Sequence, residues 1–277
     1  MKYINCLILI LFAQMTFAQQ TKHIVVLHTN DTHSQVEPTD AGAKEPNMGG
    51  YARRMGVIDS VRAVEPNVLL LDAGDYFQGS PYFNFFNGRV EIAAMNRMRY
   101  DAATLGNHEF DNGLDTLAAV LKLANFPVVC ANYELSNTPI ASEVKPYIVI
   151  ERFGLRIGIF GLTVNPKGLV FDKNYEGIVY NDPIEAANKT AKILKKKKKC
   201  DLIICLSHLG SVKEGLEVSD YDLANNSEYI DVILGGHTHT LLDDNTTAQN
   251  KLGKAVLISQ MGKSGLYLGR IDLNLTK

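Results

Sequence analysis

Seven short aliphatic runs constrain this chain more than any other feature. They span His23 to Thr29, Asn67 to Ala73, Asp101 to Leu105, Pro127 to Ala131, Leu155 to Leu162, Asp201 to Leu206 and Tyr229 to Leu234, and each stops at polar or glycine residues. A strand with one wet face alternates apolar and polar residues. Runs this short and this uniformly apolar read instead as strands buried on both faces. Between them lie segments with apolar residues at helical spacing: Tyr51 to Val64 (closed by Pro66), Arg89 to Tyr100, Gly113 to Asn125, and Pro183 to Lys199, the last opening with proline as helices often do. The tail, Lys254 to Leu275, reads as a β-hairpin, and the alternation Asp272-Leu273-Asn274-Leu275 gives it one wet face. Alternating strands and helices with late antiparallel strands predict helices packed on a central sheet or a pair of sheets. No Pro/Ser-rich linker and no internal repeat divides the chain, so a single domain is expected.

The 277 residues are enough for a substantial core. Lys plus Arg is 28 and Asp plus Glu is 30, so the formal net charge is −2. That balance argues against a generally basic nucleic-acid binder. Residues 1–18 have the layout of an export signal: Lys2, the apolar run Cys6 to Ala13, and a small residue at Ala18. The apolar run is shorter than the roughly 20 residues a membrane span needs, and no other stretch is longer. The expected product is therefore a periplasmic or extracellular protein of residues 19–277, without a stable membrane anchor. It keeps Cys130, Cys200 and Cys205. An odd count leaves at least one thiol free, and Cys130 and Cys205 lie in strand-like runs as small buried hydrophobes would. The five lysines Lys195–Lys199 close a predicted helix, and a solvated helix end is the simplest reading of them, ahead of a nucleic-acid or membrane patch.

Five of the seven histidines follow predicted strands, beside Asp or Gly. In α/β folds the carboxyl ends of strands are where ligands bind, so these five are expected to converge on one surface. The first strand ends in Asn30-Asp31-Thr32-His33, in which alternate side chains offer an oxygen and a nitrogen to one ion. The second ends in Asp72-Ala73-Gly74-Asp75, and the two oxygens of Asp75 suit it to bridge two ions. The third ends in Gly106-Asn107-His108-Glu109-Phe110-Asp111: Asn107 offers an amide oxygen, His108 a proton, and Asp111 a partner to orient the imidazole. Ser207-His208 and Gly235-Gly236-His237-Thr238-His239 follow two later strands. Asp–Gly pairs and single histidines commonly mark only turns. Two aspartates, an asparagine and four histidines in order after five strands are more than turns require, and that inventory fits two ions sharing Asp75. Mixed nitrogen and oxygen donors suit Zn, Mn, Fe or Co.

Together the blocks Asp31-x-His33, Gly74-Asp75, Gly106-Asn107-His108-Glu109-Phe110-Asp111, His208 and Gly236-His237-x-His239 resemble the calcineurin-like metallophosphoesterases. The flanking His28-Thr29-Asn30-Asp31, Gly49-Gly50-x-Ala52-Arg53-Arg54 and Leu268-Gly269-Arg270-Ile271-Asp272-Leu273 are similar to the 5'-nucleotidase branch. The resemblance implies a four-layer αββα sandwich over residues 19–277. It implies one divalent ion held by Asp31, His33, Asp75 and His239 and a second held by Asp75, Asn107, His208 and His237. It casts His108, oriented by Asp111, as the group that meets the phosphoryl group. The implied reaction is hydrolysis of a phosphate monoester, a nucleoside 5'-monophosphate foremost, by direct attack of a metal-bound hydroxide without a phospho-enzyme. The same site would serve a phosphodiesterase, a nucleotide-sugar hydrolase or a 2',3'-cyclic nucleotide hydrolase.

Members of that branch commonly carry a second, C-terminal domain that grips the nucleotide, and this sequence stops at Lys277, at the end of the metal domain. Three alternatives stay open: a separate chain supplies recognition, specificity is loose, or the substrate is not a nucleotide. Tyr76, Phe77, Tyr82, Phe83, Phe85 and Phe86 follow Asp75 closely. They are either core packing or an aromatic rim on which a base or a partner domain stacks.

Overall fold

The computed structural model describes residues 21–211, 218–242 and 246–276. The expected export signal, with Cys6, lies outside them.

Two six-stranded sheets carry the fold. The first holds β1 (Thr21–Thr29), β2 (Val68–Asp72), β3 (Ala102–Thr104), β4 (Val128–Val129), β6 (Val144–Lys145) and β14 (Gly269–Thr276), in the order β14-β1-β2-β3-β4-β6. The second holds β7 (Tyr147–Arg152), β8 (Leu155–Thr163), β10 (Leu202–His208), β11 (Val232–Gly235), β12 (Thr246–Gln249) and β13 (Ala255–Ser259), in the order β12-β13-β11-β10-β8-β7. A two-stranded ribbon pairs β5 (Tyr133–Glu134) with β9 (Val179–Tyr180). Helices α1 (Tyr51–Val64), α2 (Pro81–Phe86), α3 (Arg89–Met98) and α4 (Gly113–Leu121) accompany the first sheet, and α5 (Pro183–Lys192) and α6 (Asp220–Asn226) the second.

The period-2 geometry of the strands explains the uniformly apolar runs. Along β1, Val25 and Leu27 pack under Ile58, Ile92 and Met95 of the helices, while Ile24 and Val26 face the other sheet. Along β10, Leu202, Ile204 and Leu206 face inward, and Ile203 and Cys205 pack on Ala187 and Ala191 of α5 and Leu223 of α6. Three apolar layers thus separate four layers of secondary structure, which is the expected αββα sandwich. Among the described residues no helix is long and apolar enough to cross a membrane. Cys130, Cys200 and Cys205 are all free and buried.

Two expectations need correction. Lys254 to Leu275 is not a hairpin. Its first half, β13, runs parallel to β11 in the second sheet, and its second half, β14, runs antiparallel to β1 in the first. Both halves have strand composition, but the segment crosses between sheets, and composition does not reveal which partner a strand finds. The helix expected over Pro183–Lys199 is α-helical only to Lys192 and widens into a π-helical turn over Ile193–Lys197. β7 escaped the sequence reading. It is the antiparallel partner of β8, joined through Phe153 and Gly154, both at positive φ (59° and 74°) as a tight two-residue hairpin turn requires.

At their carboxyl ends the sheets touch through backbone carbonyls. Ala131 N–H donates to the Gly161 carbonyl (2.8 Å), and Thr163 Oγ1 donates to the Leu105 carbonyl (2.6 Å). A Cβ at Gly161 would lie 2.1 Å from the Val129 carbonyl oxygen, so only glycine permits this approach. The loops beyond both sheets are thereby brought to one place.

His28 of β1 also bridges the sheets, with Nε2 3.0 Å from Ser259 Oγ of β13. It is wholly buried, and burial pushes its imidazole down to about 4. The folded protein therefore holds His28 neutral where the unfolded chain is protonated. Stability falls as pH drops from about 6.5 to about 4, by about 3 kcal/mol from this group. We expect the urea midpoint of the wild type to fall more between pH 7 and about pH 4.5 than that of His28→Gln. Equal losses would show that His28 does not sense acid.

Candidate metal centre

The five histidines expected to converge do so. From the first sheet, the loop after β1 presents Asp31 and His33, the loop after β2 presents Asp75, and the loop after β3 presents Asn107 and His108. From the second sheet, His208 ends β10, and His237 and His239 follow β11. Two sets of donor atoms each lie within 4.8 Å of one another: Asp31, His33 and His239, and Asp75, His208 and His237. Asp75 also lies that close to His33 and His108, which places it between the two sets.

The backbone is shaped to make this meeting. Asp31, His33, Asp75, His237 and His239 all adopt left-handed backbone, with φ between 43° and 73°. That region is uncommon for side-chain-bearing residues and concentrates at functional sites. The loops are zipped together: Asp31 N–H donates to Gly74 O (2.9 Å) and His33 N–H to Asp75 O (3.0 Å). The Asp31 carboxylate accepts from Asn30 Nδ2 (2.6 Å) and from the His237 backbone N–H (3.0 Å to Oδ2). Glycine makes the approach possible. A Cβ at Gly106 would sit 2.1 Å from Asp75 Oδ1, and one at Gly236 would sit 2.8 Å from His208 Nδ1.

Ionic partners inside the cluster are incomplete in a way that fits cations. His33 Nε2 and His239 Nε2 face each other at 2.9 Å, and each lies within 4 Å of Asp31 Oδ1. His208 Nδ1 donates to Ala73 O (2.7 Å), which fixes the tautomer and leaves Nε2 aimed 3.1 Å from Asp75 Oδ2 without an aligned hydrogen bond. Asn107 Oδ1 is buried with no partner at all. An orphaned amide oxygen and convergent ring nitrogens beside two buried carboxylates suit borderline divalent ions. Burial works to lower the His208 imidazole, but the Asp75 charge outweighs it and holds the group up at about 10. Burial likewise works to raise Asp75, but His208 beside it holds that carboxyl well below the usual range. His237, by contrast, is pushed down to about 4 by burial and then by the charge of His208. In the ion-free protein a proton on His208 thus balances the Asp75 carboxylate, and a metal ion taking its place would release it.

His108 stands at the margin of this cluster, its ring edge-on to His33. Its Nδ1 lies 2.8 Å from Asp111 Oδ2. Burial opposes protonation, but the hydrogen bond to Asp111 and the charge of Asp75 hold the imidazole above its ordinary value. With Nδ1 committed to Asp111, Nε2 is the ring nitrogen left open.

Three supporting residues carry no signature in the sequence that reveals their work. Glu109, fully buried, accepts the backbone N–H groups of Asp75 (2.9 Å), Phe77 (3.1 Å) and Gly106 (2.5 Å). One carboxylate therefore ties the loop carrying Asp75 to the loop carrying Asn107. Burial and the nearby Asp75 push this carboxyl up, while the N–H groups aimed at both its oxygens stabilise the anion. Gln260 grips both ends of the histidine loop, donating to Gly236 O (2.6 Å) and accepting from Thr240 N–H (2.6 Å). Asp72 accepts the Gly74 N–H (2.9 Å) and the Thr29 hydroxyl (2.5 Å). Such residues become legible only when the loops are seen together, although the position of Glu109 inside the Asn107–Asp111 block was a signal.

The aromatic cluster after Asp75 divides. Tyr76, Phe77 and Phe83 are buried, with the Phe77 and Phe83 rings stacked 5.5 Å apart. Phe85 and Phe86 are exposed at 79% and 49%. Phe83 therefore belongs to the core and not to any rim.

The model of the family described as calcineurin-like phosphoesterase matches residues 24–241. The trifunctional nucleotide phosphoesterase YfkN of Bacillus subtilis is 36% identical over 282 residues, covering 90% of this chain and 18% of that protein. The snake venom 5'-nucleotidase of Naja atra is 35% identical over 272 residues, covering 90% of this chain and 50% of the relative. Among solved structures, a 5'-nucleotidase precursor from Thermus thermophilus superposes with a TM-score of 0.80 at 35% identity, over 92% of this chain and 55% of the other. The chain thus spans about half the length of two of these relatives and a smaller share of YfkN.

Proposed function

This chain belongs to the calcineurin-like phosphoesterase family, and from that premise we propose that it hydrolyses phosphate monoesters, nucleoside 5'-monophosphates foremost, at a centre of two divalent ions. The convergence of Asp31, His33 and His239 on one side of Asp75, and of His208 and His237 on the other, carries the reading. In it Asp31, His33, Asp75 and His239 hold one ion, and Asp75, Asn107, His208 and His237 the other. Two such ions supply neutralisation of phosphoryl charge and activation of water near neutral pH.

The chain's own residues do the rest. Asp75 spans both sets and fixes their separation. Nε2 of His108 meets the phosphoryl or leaving-group oxygen, and Asp111 keeps that imidazole oriented and stabilises its positive charge. No side chain is required as a nucleophile. The reading includes export, supported by the sequence pattern of residues 1–18 and by a relative that is a venom enzyme. Nucleotide recognition beyond the phosphate falls to parts outside this fold or to a separate chain, a reading supported by the longer relatives.

The test is phosphate release, with Mn or Zn added, from nucleoside 5'-monophosphates, a nucleotide-sugar, a 2',3'-cyclic nucleotide and an aryl phosphate. We expect monoester turnover that His108→Ala lowers by roughly 10²- to 10³-fold. Turnover of the diesters alone would favour a phosphodiesterase, a possibility raised by the several activities in the name of the Bacillus relative. Undiminished turnover in His108→Ala would remove that residue from the mechanism.

A further inference from the structure

The two ends of the sheets carry opposite chemistry. The carboxyl ends present the metal-ligand cluster. At the amino ends, roughly 20 Å away along β10 at about 3.3 Å per residue, cations collect. Lys195–Lys199 lead into β10, and Lys195 Nζ caps the Cys200 carbonyl (3.2 Å). Arg156 lies at the start of β8, and Lys254 precedes β13. Lys22, at the start of β1, lays its side chain beside the β7–β8 turn at Gly154.

Four carboxylates lie at or just before the strand starts and turn of the second sheet on this end, Glu228 beside Tyr229 and three that are engaged. Glu151 pairs with Arg156 (3.0 Å), Asp201 accepts the Arg156 backbone N–H (2.8 Å), and Asp231 accepts the Ile203 N–H (2.8 Å). Arg152 and Asp101 pair with each other and add no net charge. Seven cations of the second sheet's amino end (Lys195–Lys199, Arg156 and Lys254) thus stand against Glu151, Asp201, Asp231 and the nearby Glu228, in a chain whose net charge is −2. Lys196–Lys199 are exposed, and among the described residues none of them has a carboxylate ion-pair partner. They do not simply continue a helix. The helix widens into a π-turn, with Lys198 N–H reaching Ile193 O and Cys200 N–H reaching Leu194 O, and such turns are uncommon and recur at functional places.

We propose that this lysine-rich end is a docking surface for anionic phospholipid bilayers, which holds the protein with its metal centre facing away from the membrane. The chemistry favours a lipid surface over a nucleic acid. The run is all lysine, compact point charges suited to diffuse headgroup charge, and it has no arginine forks for bidentate phosphate or base contacts. The end is built of strand starts and a turn. Its nearby aromatic ring, Tyr229, lies under the Lys196 ammonium (5.1 Å), where it is not free to stack with a base. The inference does not depend on the proposed reaction.

The test is co-sedimentation of the protein with vesicles of about 30% phosphatidylglycerol in phosphatidylcholine, against pure phosphatidylcholine, in low salt and in about 0.5 M NaCl. The variant replaces Lys196, Lys197, Lys198 and Lys199 by Gln and spares the partly buried Lys195. We expect binding to the anionic vesicles only, released by salt, and weakened roughly tenfold or more in the variant, given the contribution of each basic residue near an anionic surface. An unchanged thermal midpoint and far-UV spectrum would show that the variant is folded. Equal binding of the variant, equal binding to neutral vesicles, or binding to RNA and heparin without binding to vesicles would each overturn the proposal.

Discussion

Asp75→Asn is expected to lower metal-dependent phosphate release by at least roughly a hundredfold, the upper end of what loss of even an indirect partner of a metal ligand costs. The substitution is nearly isosteric, so the loops keep their shape. It removes a charge from the one residue, among those described, whose donor atoms lie within reach of His33, His108, His208 and His237. Asp75 also accepts the His108 backbone N–H (2.9 Å), a bond that an amide oxygen preserves. The variant should therefore fold, and elemental analysis should find it short of metal. A variant with wild-type turnover and a full complement of metal would exclude Asp75 as the shared ligand.

Glu109→Gln is expected to be the most damaging change that leaves every proposed ligand in place. Glutamine presents one acceptor oxygen where three backbone N–H groups converge, and its own N–H₂ would point at a donor. Leaving buried donors unpaired costs about 1–3 kcal/mol each, so the urea-derived stability should fall by about 2–5 kcal/mol. Oε2 accepts the Asp75 and Gly106 groups and Oε1 the Phe77 group, so whichever oxygen becomes N–H₂ unpairs a group on the loop that carries Asp75, and metal affinity should fall as well, by roughly 10- to 100-fold. Isothermal titration with Zn or Mn reads the affinity. A purely structural role would lower stability and leave affinity unchanged, so a variant that is less stable but binds metal as tightly as the wild type would contradict the positioning role.

How much of this was legible in the sequence follows from the physics of each part. The strands buried on both faces announced themselves because hydrophobic burial is written locally, one residue at a time. The candidate residues stood out because polar groups stacked at strand ends have few structural uses, and the donor atoms of Asp31, His33, Asp75, His108, His208, His237 and His239 lie close together. Pairing partners were not legible: β13 and β14 have hairpin composition yet join different sheets, since partner choice depends on distant strands. β7 is not announced by its turn, which uses Phe153, a residue not suited by type to a positive φ. The work of Glu109 and Gln260 was hidden because each acts on backbone groups of loops that only the fold brings together. The aromatic run split between core and surface, a distinction that depends on which helix face meets α3 and not on composition.

If two ions sharing Asp75 make this chain a phosphomonoesterase, as we propose, a metal titration of chelator-stripped protein with phosphate release from a nucleoside 5'-monophosphate as the readout decides it. We predict no release from the stripped protein, turnover that rises until two equivalents of Mn or Zn are bound per chain, and no such rise in Asp75→Asn. Full turnover by the stripped protein, or saturation at one equivalent, would contradict the two-ion account.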